Sequence, residues 1–279
     1  MMRAVSSAGK KQRMSGIPNW RLGCQAYTFR HFSFTETIDK NASLDLKCIE
    51  AYPGQALSLD KPDVAFGHNA PEEALDAVKA KLDSAGVHLV NYGVVPLPND
   101  EAECRKVFDF AKAMGIETIV SEPPLVALEL VDALCQEYGI DMAIHNHPAP
   151  SIYWNPDTVV KACEGRSTHI GACADTGHWV RSGVDPLEAL KKLEGRIITL
   201  HIKDVDRQAP DAVDVPWGEG VGIMRKLLEE VWRQGIEPVF SIEYEKHSED
   251  DPLPEVTKCV EFYQQVCTEL AQASTGLKG

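Results

Sequence analysis

The feature that most constrains the fold is an alternation of eight short apolar runs with amphipathic segments. The runs resemble strands and read LGCQAYTF (22–29), LKCIEAY (46–52), VHLVNYGVV (87–95), ETIVSEP (117–123), DMAIHNHP (141–148), IGACADTGHW (170–179), IITLHIKDV (197–205) and PVFSIEYE (238–245). Eight strands that alternate with helices over about 250 residues predict an α/β fold, a (β/α)₈ TIM barrel in a single domain.

Helical segments between these runs show apolar residues at i, i+3 and i+4, and several end in glycine. The clearest are PEEALDAVKAKLDSAG (71–86), NDEAECRKVFDFAKAMG (99–115), GIMRKLLEEVWRQG (222–235) and PLPEVTKCVEFYQQVCTELAQ (252–272). A doubly wound open sheet is the alternative fold, but AYTFRHF after the first run is not the glycine-rich phosphate turn of that class. Two connections, 53–70 and 206–218, are long enough for binding loops.

Composition excludes several classes of protein. The net charge of -14 and the pI near 5.1 argue against a dedicated nucleic-acid binder. No apolar run approaches the length of a membrane span. The eight cysteines form no C-x-x-C pair and indicate buried thiols in a reducing compartment. Residues 1–19 are predicted to be a disordered tail without a signal peptide, so we expect a cytoplasmic protein with its barrel at 20–279.

Polar side chains cluster where six of the runs end, which is the end that carries the active site in TIM barrels. They are Glu50, Glu122, His145 with His147, Asp175 with His178, His201 with Lys203, and Glu243 with Glu245. Each acid alone is compatible with a solvated rim, but a whole ring of carboxylates and imidazoles is costly unless a cation neutralises it. This donor mixture suits one divalent metal ion, such as Mn²⁺, Zn²⁺, Co²⁺ or Mg²⁺.

Three stretches, ADTGHW, LHIKDVDR and SIEYE, resemble the xylose isomerase-like TIM barrels, and the resemblance extends over nearly all of the chain from Trp20. That superfamily contains sugar isomerases and epimerases, inosose dehydratase and the family 2 AP endonucleases. The resemblance implies four metal ligands, one at each of four strand ends, namely His145, Asp175, His201 and Glu243. It also implies that His178 and Arg207 contact the sugar. The chain departs from the epimerases at His145, where they typically carry a glutamate.

The first functional hypothesis is a divalent-metal-dependent sugar isomerase or epimerase that acts on a small carbohydrate or polyol through an enediolate. Glu243 or Glu122 would move the proton, and His147 or Lys203 would act as the acid. Because a metal-bound imidazole is a poor base, His145 favours chemistry with a single strong carboxylate base. A keto-sugar or inosose dehydratase, which is a lyase, is therefore the alternative.

Two further residues complete the predicted substrate site. Glu50 ends the second run, and Trp217 could stack on a sugar face or simply pack within a lid. An AP endonuclease is a remote alternative, because Glu50 and Asn91 or Tyr92 stand where extra zinc histidines would be needed and because the chain is acidic. A non-catalytic sugar-binding barrel is another. We expect a small sugar or polyol as the partner, neither nucleic acid nor membrane, and leave homo-oligomerisation open.

Overall fold

The barrel consists of eight parallel strands in a computed structural model that describes residues 19–245, 248 and 250–276, the side chains of 274–276 excepted. Each strand pairs with the next, and the last closes onto the first. Their bounds are β1 Arg21–Gln25, β2 Cys48–Ala51, β3 His88–Tyr92, β4 Thr118–Ser121, β5 Asp141–His145, β6 Ile170–Asp175, β7 Ile197–Ile202 and β8 Val239–Ile242. The predicted single-domain TIM barrel is confirmed.

Helices lie outside the strands and begin and end at clear sequence signals. Their bounds are α1 Phe34–Ser43, α2 Glu72–Ala85, α3 Glu101–Met114, α4 Leu128–Tyr138, α5 Pro156–Cys163, α6 Thr176–Arg181, α7 Pro186–Lys192, α8 Met224–Gln234 and α9 Leu253–Gly276. Ser33 and Glu36 form a capping box at the start of α1. Gly86, with φ 63°, ends α2 in the left-handed conformation that glycine adopts most readily.

The observed strands are shorter than the predicted runs because the polar strand ends turn into loops and helices. The run 170–179 is a strand only as far as Asp175, whose carboxylate accepts the His178 backbone N–H at 2.8 Å and so caps α6. The second half of the run 22–29 is a 3₁₀ turn, Ala26–Phe29. In both places a helix cap or a tight turn ends the strand before the run ends.

Two antiparallel ribbons were not predicted. The first pairs Ala56–Ser58 with Lys61–Ala65, and the second pairs Asp204–Val205 with Asp214–Val215. They lie in, or at the edge of, the two long connections that follow β2 and β7. Both connections therefore have a defined backbone path at the C-terminal mouth of the barrel.

Several expectations concern the chain outside the barrel strands. The predicted disordered tail lies, apart from Asn19, outside the described residues and stays a prediction. All eight cysteines are buried and unpaired, as expected. Within the part of the chain that the structure describes, no helix is both long and apolar enough to cross a membrane. The cytoplasmic location stays a prediction.

The hydrophobic core fills the layer between the strands and the helices, where Leu227 and Phe240 are fully buried. Inside the C-terminal mouth of the barrel the buried side chains are polar instead. Asp175, His201 and Lys203 are each at most 1% exposed. Since a charged group is rarely buried without a partner or a metal, this polar interior marks the functional site.

Candidate metal centre and active site

Four buried side chains from neighbouring strands converge at the mouth of the barrel. His145 ends β5, Asp175 ends β6, His201 lies on β7, and Glu243 follows β8. Asp175 and His201 are partners in the β6–β7 register, which brings their side chains together. The possible ligand atoms of all four residues lie within 4.8 Å of one another. The structure thus brings together the four residues predicted as metal ligands.

Each of these residues carries one buried atom that has no hydrogen-bond partner among the described residues. The four atoms are His145 Nε2, Asp175 Oδ2, His201 Nδ1 and Glu243 Oε2. His201 Nδ1 lies only 2.8 Å from Glu243 Oε2, but the two are not aligned for a hydrogen bond. A buried polar atom without a partner costs about 1–3 kcal/mol, and more if it is charged. Two nitrogens and two carboxylate oxygens with unused lone pairs fit one divalent cation.

A carboxylate behind each histidine orients the ring. His201 Nε2 lies 2.8 Å from Glu50 Oε1, and His145 Nδ1 lies 3.1 Å from Glu122 Oε1. A carboxylate accepts the N–H of one ring nitrogen and leaves the lone pair on the other nitrogen. In both rings that other nitrogen is the unpartnered atom of the cluster. The two hydrogen bonds therefore orient both rings with one nitrogen toward the cluster. Burial alone would lower the pKa of both imidazoles, but the anionic groups around them raise it, so a cation would bind there in exchange for protons.

Glu50 lies beneath the cluster rather than in a cavity. It is 1% exposed, and besides His201 it accepts hydrogen bonds from Gln25, Asn91 and Ser241. All of these donors belong to the protein, so no oxygen is left for a substrate. The placement does not support the predicted substrate contact, and it makes Glu50 a positioning residue for His201. Strand spacing alone could not separate the two roles.

Glu122 is equally occupied. One of its oxygens accepts the backbone N–H of His147 at 2.7 Å and lies 2.7 Å from His147 Nδ1, and the other accepts the Ser151 hydroxyl at 3.0 Å. Burial alone would raise the pKa of Glu122. The hydrogen bonds from His145 and His147 outweigh that effect and bring the pKa below its usual value, so the carboxylate stays ionised. These contacts fit a residue that orients two imidazoles better than the predicted proton-transferring base.

Lys203 is a buried cation beside the cluster. Its Nζ forms an ion pair with Glu245 and lies 3.2 Å from both Asp175 Oδ2 and Glu243 Oε2. Burial alone would lower the pKa of Lys203, but these carboxylates hold it well above its usual value. His178 Nε2 accepts a hydrogen bond from Lys203 Nζ at 3.1 Å, and burial holds the pKa of His178 well below its usual value. Lys203 is therefore a charged ammonium, and His178 beside it is a neutral imidazole.

The two carboxylates of the cluster are ionised. Burial alone would raise the pKa of Asp175 and of Glu243. The imidazoles and the Lys203 ammonium around them outweigh that effect, so both pKa values lie below their usual range. An ionised pair of buried carboxylates needs nearby positive charge. Lys203 supplies part of it, and a divalent cation held by the unpartnered atoms would supply the rest.

Above the cluster lies a cavity of about 370 Å³, a size typical of small-molecule sites. Tyr27 and Tyr52 form one wall, with their rings edge to face and the centroids 5.2 Å apart. The lining also contains Gln25, Pro53, Gly93, Val94, His147, His178, Glu243 and Glu245. An aromatic wall opposite carboxylate and imidazole groups suits a small molecule that carries both hydroxyls and C–H faces.

Two predicted substrate-binding residues lie away from this cavity. Arg207 is on the surface, where it pairs with Asp206 at 2.6 Å and Asp211 at 3.0 Å. Trp217 is 4% exposed and packs outside the barrel, in a hydrophobic space with Leu200 and Phe240. Both placements are corrections. Arg207 lies in the exposed turn of the ribbon after β7, and Trp217 lies after the ribbon, where the chain returns to the core. The number of residues that separates them from His201 does not reveal this backbone path.

The sequence reasoning missed a buried ion pair that ties this ribbon to the site. Arg181 donates to Asp214, and Asp214 accepts the backbone N–H of Glu245 at 2.6 Å. Burial raises the pKa of Asp214 to about 6 against the opposing effect of Lys203 and Arg181. Only the spacing of three residues between His178 and Arg181 hinted that both face the same side of α6.

Asp204, also missed, fixes the loop that follows the ribbon. Its carboxylate accepts the backbone N–H groups of Gly218, Gly220 and Gly222 at 2.9, 3.1 and 2.8 Å. A Cβ at Gly220 would lie 2.4 Å from the Asp204 carboxylate, so a side chain cannot be accommodated there. The stretch GEGVG was the available signal, because a glycine repeat allows the backbone to wrap closely around a group.

A parallel eight-stranded barrel with a His₂AspGlu cluster at its C-terminal mouth defines the class: TIM-barrel proteins with a candidate metal centre of mixed imidazole and carboxylate ligands. Residues 38–265 match the family model of xylose isomerase-like TIM barrels. The chain belongs to this family, and the resemblance seen in its sequence is confirmed.

Similar proteins match this chain over very different shares of its length. An uncharacterized protein from Parabacteroides distasonis is 32% identical, with a TM-score of 0.71 over 89% of this chain and 99% of that chain. Inosose dehydratase 2 of Bacillus cereus is 32% identical over 80 residues, which is 29% of this chain and 27% of that enzyme. A crystal structure of the IOLI protein with a bound zinc atom has the same fold, with a TM-score of 0.67 and 14% identity over 90% of this chain and 99% of that chain.

Proposed function

We propose that the protein is a divalent-metal-dependent enzyme that isomerises or epimerises a small carbohydrate or polyol beside a carbonyl group. The observation that supports it most is the convergence of four buried ligand atoms, none with a hydrogen-bond partner among the described residues, below a cavity of small-molecule size. His145, Asp175, His201 and Glu243 would hold one ion. When bound, such an ion supplies Lewis acidity toward a carbonyl and its neighbouring hydroxyl.

Glu243 is the proposed proton acceptor. It lines the cavity and is ionised, so it can take a proton from a carbon next to a carbonyl. The Lys203 ammonium lies behind the cavity wall, 3.2 Å from Glu243 Oε2, where its charge stabilises negative charge that develops in the site as the proton leaves. His178, which lines the cavity, accepts a hydrogen bond from Lys203 and lies between the ammonium and the cavity. His147, at the rim, remains a candidate acid.

A single free base limits the stereochemistry. Of the described residues that line the cavity, only Glu243 and Glu245 are carboxylates, and Glu245 is not part of the candidate metal cluster that would activate the carbonyl. Glu122 does not line the cavity. Proton transfer on one face of the substrate is therefore the expected chemistry, which favours isomerisation over an epimerisation that uses two bases on opposite faces.

Elimination of water from a keto-sugar or inosose is the second candidate. His147 lines the cavity with Glu243 and is the candidate acid for a hydroxyl that departs from the neighbouring carbon, while Glu243 acts as the base. The similarity to inosose dehydratase 2 of Bacillus cereus supports this candidate over part of the chain. Both reactions begin with the same proton abstraction. Isomerisation then returns a proton to the former carbonyl carbon, whereas elimination expels the hydroxyl of the next carbon as water.

The experiment is a substrate panel of aldoses, ketoses and inososes with Mn²⁺-loaded protein in heavy water, followed by NMR. We expect an isomerised or dehydrated product, with solvent deuterium entering from one face in the isomerised case. Glu243→Gln should abolish the reaction, and Glu129→Gln, a change at an exposed site on α4, should not. No product and no deuterium exchange across the panel would refute an enzyme of this kind. Efficient epimerisation, with deuterium from the opposite face, would refute the single base.

A further inference from the structure

A second cavity of about 500 Å³ lies beside the first. It is lined by residues 63–71, by Pro53 and Gly54, and by Tyr92 at the end of β3. Residues 63–65 belong to the ribbon of Ala56–Ser58 and Lys61–Ala65, which we call the β2–α2 hairpin. The cavity contains none of the four candidate metal ligands. Its volume is again typical of a small-molecule site. The proposed chemistry does not use it.

The two cavities are neighbours. Pro53 lines both of them, and the residue before it, Tyr52, lines the first, whereas the residue after it, Gly54, lines the second. Pro53 is therefore the shared edge over which a ligand in the first cavity would reach the second.

The hairpin is anchored, so the second cavity is preformed. Phe66, at its base, stacks on Phe34 with the ring centroids 4.3 Å apart. The Gly54 N–H donates to Phe66 O at 3.0 Å, and the Phe66 N–H donates to Gln55 O at 2.8 Å. The Gln55 side-chain amide is buried and donates to the backbone oxygen of Phe32 at 2.9 Å. A site whose walls are already fixed loses little conformational entropy when a ligand binds.

The chemistry of the walls favours an uncharged sugar unit. Asp63, His68 and Asn69 offer donors and acceptors, while Pro53 offers an apolar surface. His68 Nδ1 lies 2.9 Å from the Tyr92 hydroxyl, which orients the ring, and burial lowers the pKa of His68, so the ring is neutral. No lysine or arginine in the described chain lines this cavity. A phosphate would meet the Asp63 carboxylate without a compensating cation.

We infer that this cavity is a subsite for a second, uncharged sugar unit linked to the reacting one, so that the substrate is a glycoside or a disaccharide. The inference rests on the proposed function for the place of the reacting unit. Because the subsite touches no metal ligand, it contributes binding and selectivity and takes no part in bond making.

Binding measurements with the metal-loaded protein test this directly. The probes are glucose and its disaccharides trehalose, maltose, cellobiose and sophorose, titrated by calorimetry. We expect at least one disaccharide to bind about tenfold or more tightly than glucose, since hydrogen bonds to the second unit add to its affinity. Asn69→Trp fills the cavity from an exposed position and should abolish that preference. Lys61→Trp, on the hairpin but outside the lining, is the matched control and should retain it.

The inference is wrong if no disaccharide binds more tightly than glucose, or if folded Asn69→Trp protein keeps the preference. His68→Ala gives a second test, since it removes a polar group without filling space and should reduce the preference several-fold. Turnover plays no part in this measurement. An inactive protein that prefers a disaccharide would refute the proposed function alone, and an active protein without the preference would refute the subsite alone.

Discussion

Replacing Glu50 with glutamine tests whether the metal centre depends on the carboxylate behind His201. Glu50 Oε1 lies 2.8 Å from His201 Nε2 and accepts the Gln25 amide at 3.1 Å. Glu50 Oε2 accepts the Ser241 hydroxyl at 2.7 Å and the Asn91 amide at 3.3 Å. Two oxygens thus serve four donors, whereas glutamine has one accepting oxygen and one donating NH₂ group. In Glu50→Gln the new NH₂ group must replace one of the two carboxylate oxygens. The two protein donors at that oxygen will then face another donor instead of an acceptor.

The magnitude follows from this arrangement. If the amide oxygen stays on His201, the hydrogen bonds from Ser241 and Asn91 weaken, and the free energy of unfolding should fall by about 1–3 kcal/mol. The negative charge that makes His201 a stronger ligand is lost in either orientation. Loss of such an outer partner lowers metal affinity about 10- to 100-fold, or about 1.4–2.7 kcal/mol.

The assay is a titration of the metal-free protein with Zn²⁺ and with Mn²⁺ in competition with a chelating indicator. Ser241→Ala is the control, because it removes one donor to Glu50 and leaves the bond to His201 in place. We expect its metal affinity to change less than about threefold, since an outer partner acts mainly through its bond to the ligand. A folded Glu50→Gln protein that binds metal as tightly as the wild type would refute the assignment of Glu50 as a positioning residue.

Other substitutions separate chemistry from stability. Lys203→Met should retain the metal and lower turnover by about two to four powers of ten, because the stabilising ammonium is lost; metal analysis and kinetics check this. Trp217→Ala should lower the free energy of unfolding by about 3–5 kcal/mol in denaturant titrations, because it empties a packed site, while Arg207→Ala should change turnover little. Asp214→Asn should cost about 3–5 kcal/mol, because it leaves Arg181 buried without its counter-charge.

Each of these expectations has an outcome that contradicts it. Unchanged turnover in Lys203→Met would place Lys203 outside the reaction. Loss of substrate affinity without loss of stability in Trp217→Ala would restore its predicted role in binding, and a strong effect of Arg207→Ala on substrate affinity would do the same for Arg207. An Asp214→Asn protein as stable as the wild type would show that Arg181 finds another partner.

The fold was predictable because its signal is periodic. Apolar runs of strand length alternate with amphipathic segments, and parallel strands joined by helices have few ways to bury both faces. Glycines such as Gly86 and Gly115 end helices where the sequence indicated. The ends of the strands were less predictable, since at Asp175 side-chain capping replaced the apolar pattern by a helix.

The candidate site was predictable only where it lies on strands. The ends of parallel strands meet at one mouth, so His145, Asp175 and His201 could be brought together from sequence. The long β7–α8 connection has no such periodicity, and its ribbon placed Arg207 and Trp217 elsewhere. Contacts between residues far apart in the chain, such as the one between His201 and Glu50, 151 positions away, depend on the closed barrel and have no local pattern.

Metal content is the measurement that tests the central claim most directly. Purified protein, stripped and reconstituted with Mn²⁺ or Zn²⁺, should contain about one ion per chain by elemental analysis, because the four ligands make one coordination shell. Asp175→Ala and His201→Ala should lose that ion, while Arg207→Ala, which changes a surface residue, should keep it. Full metal occupancy in both folded ligand variants would contradict the account.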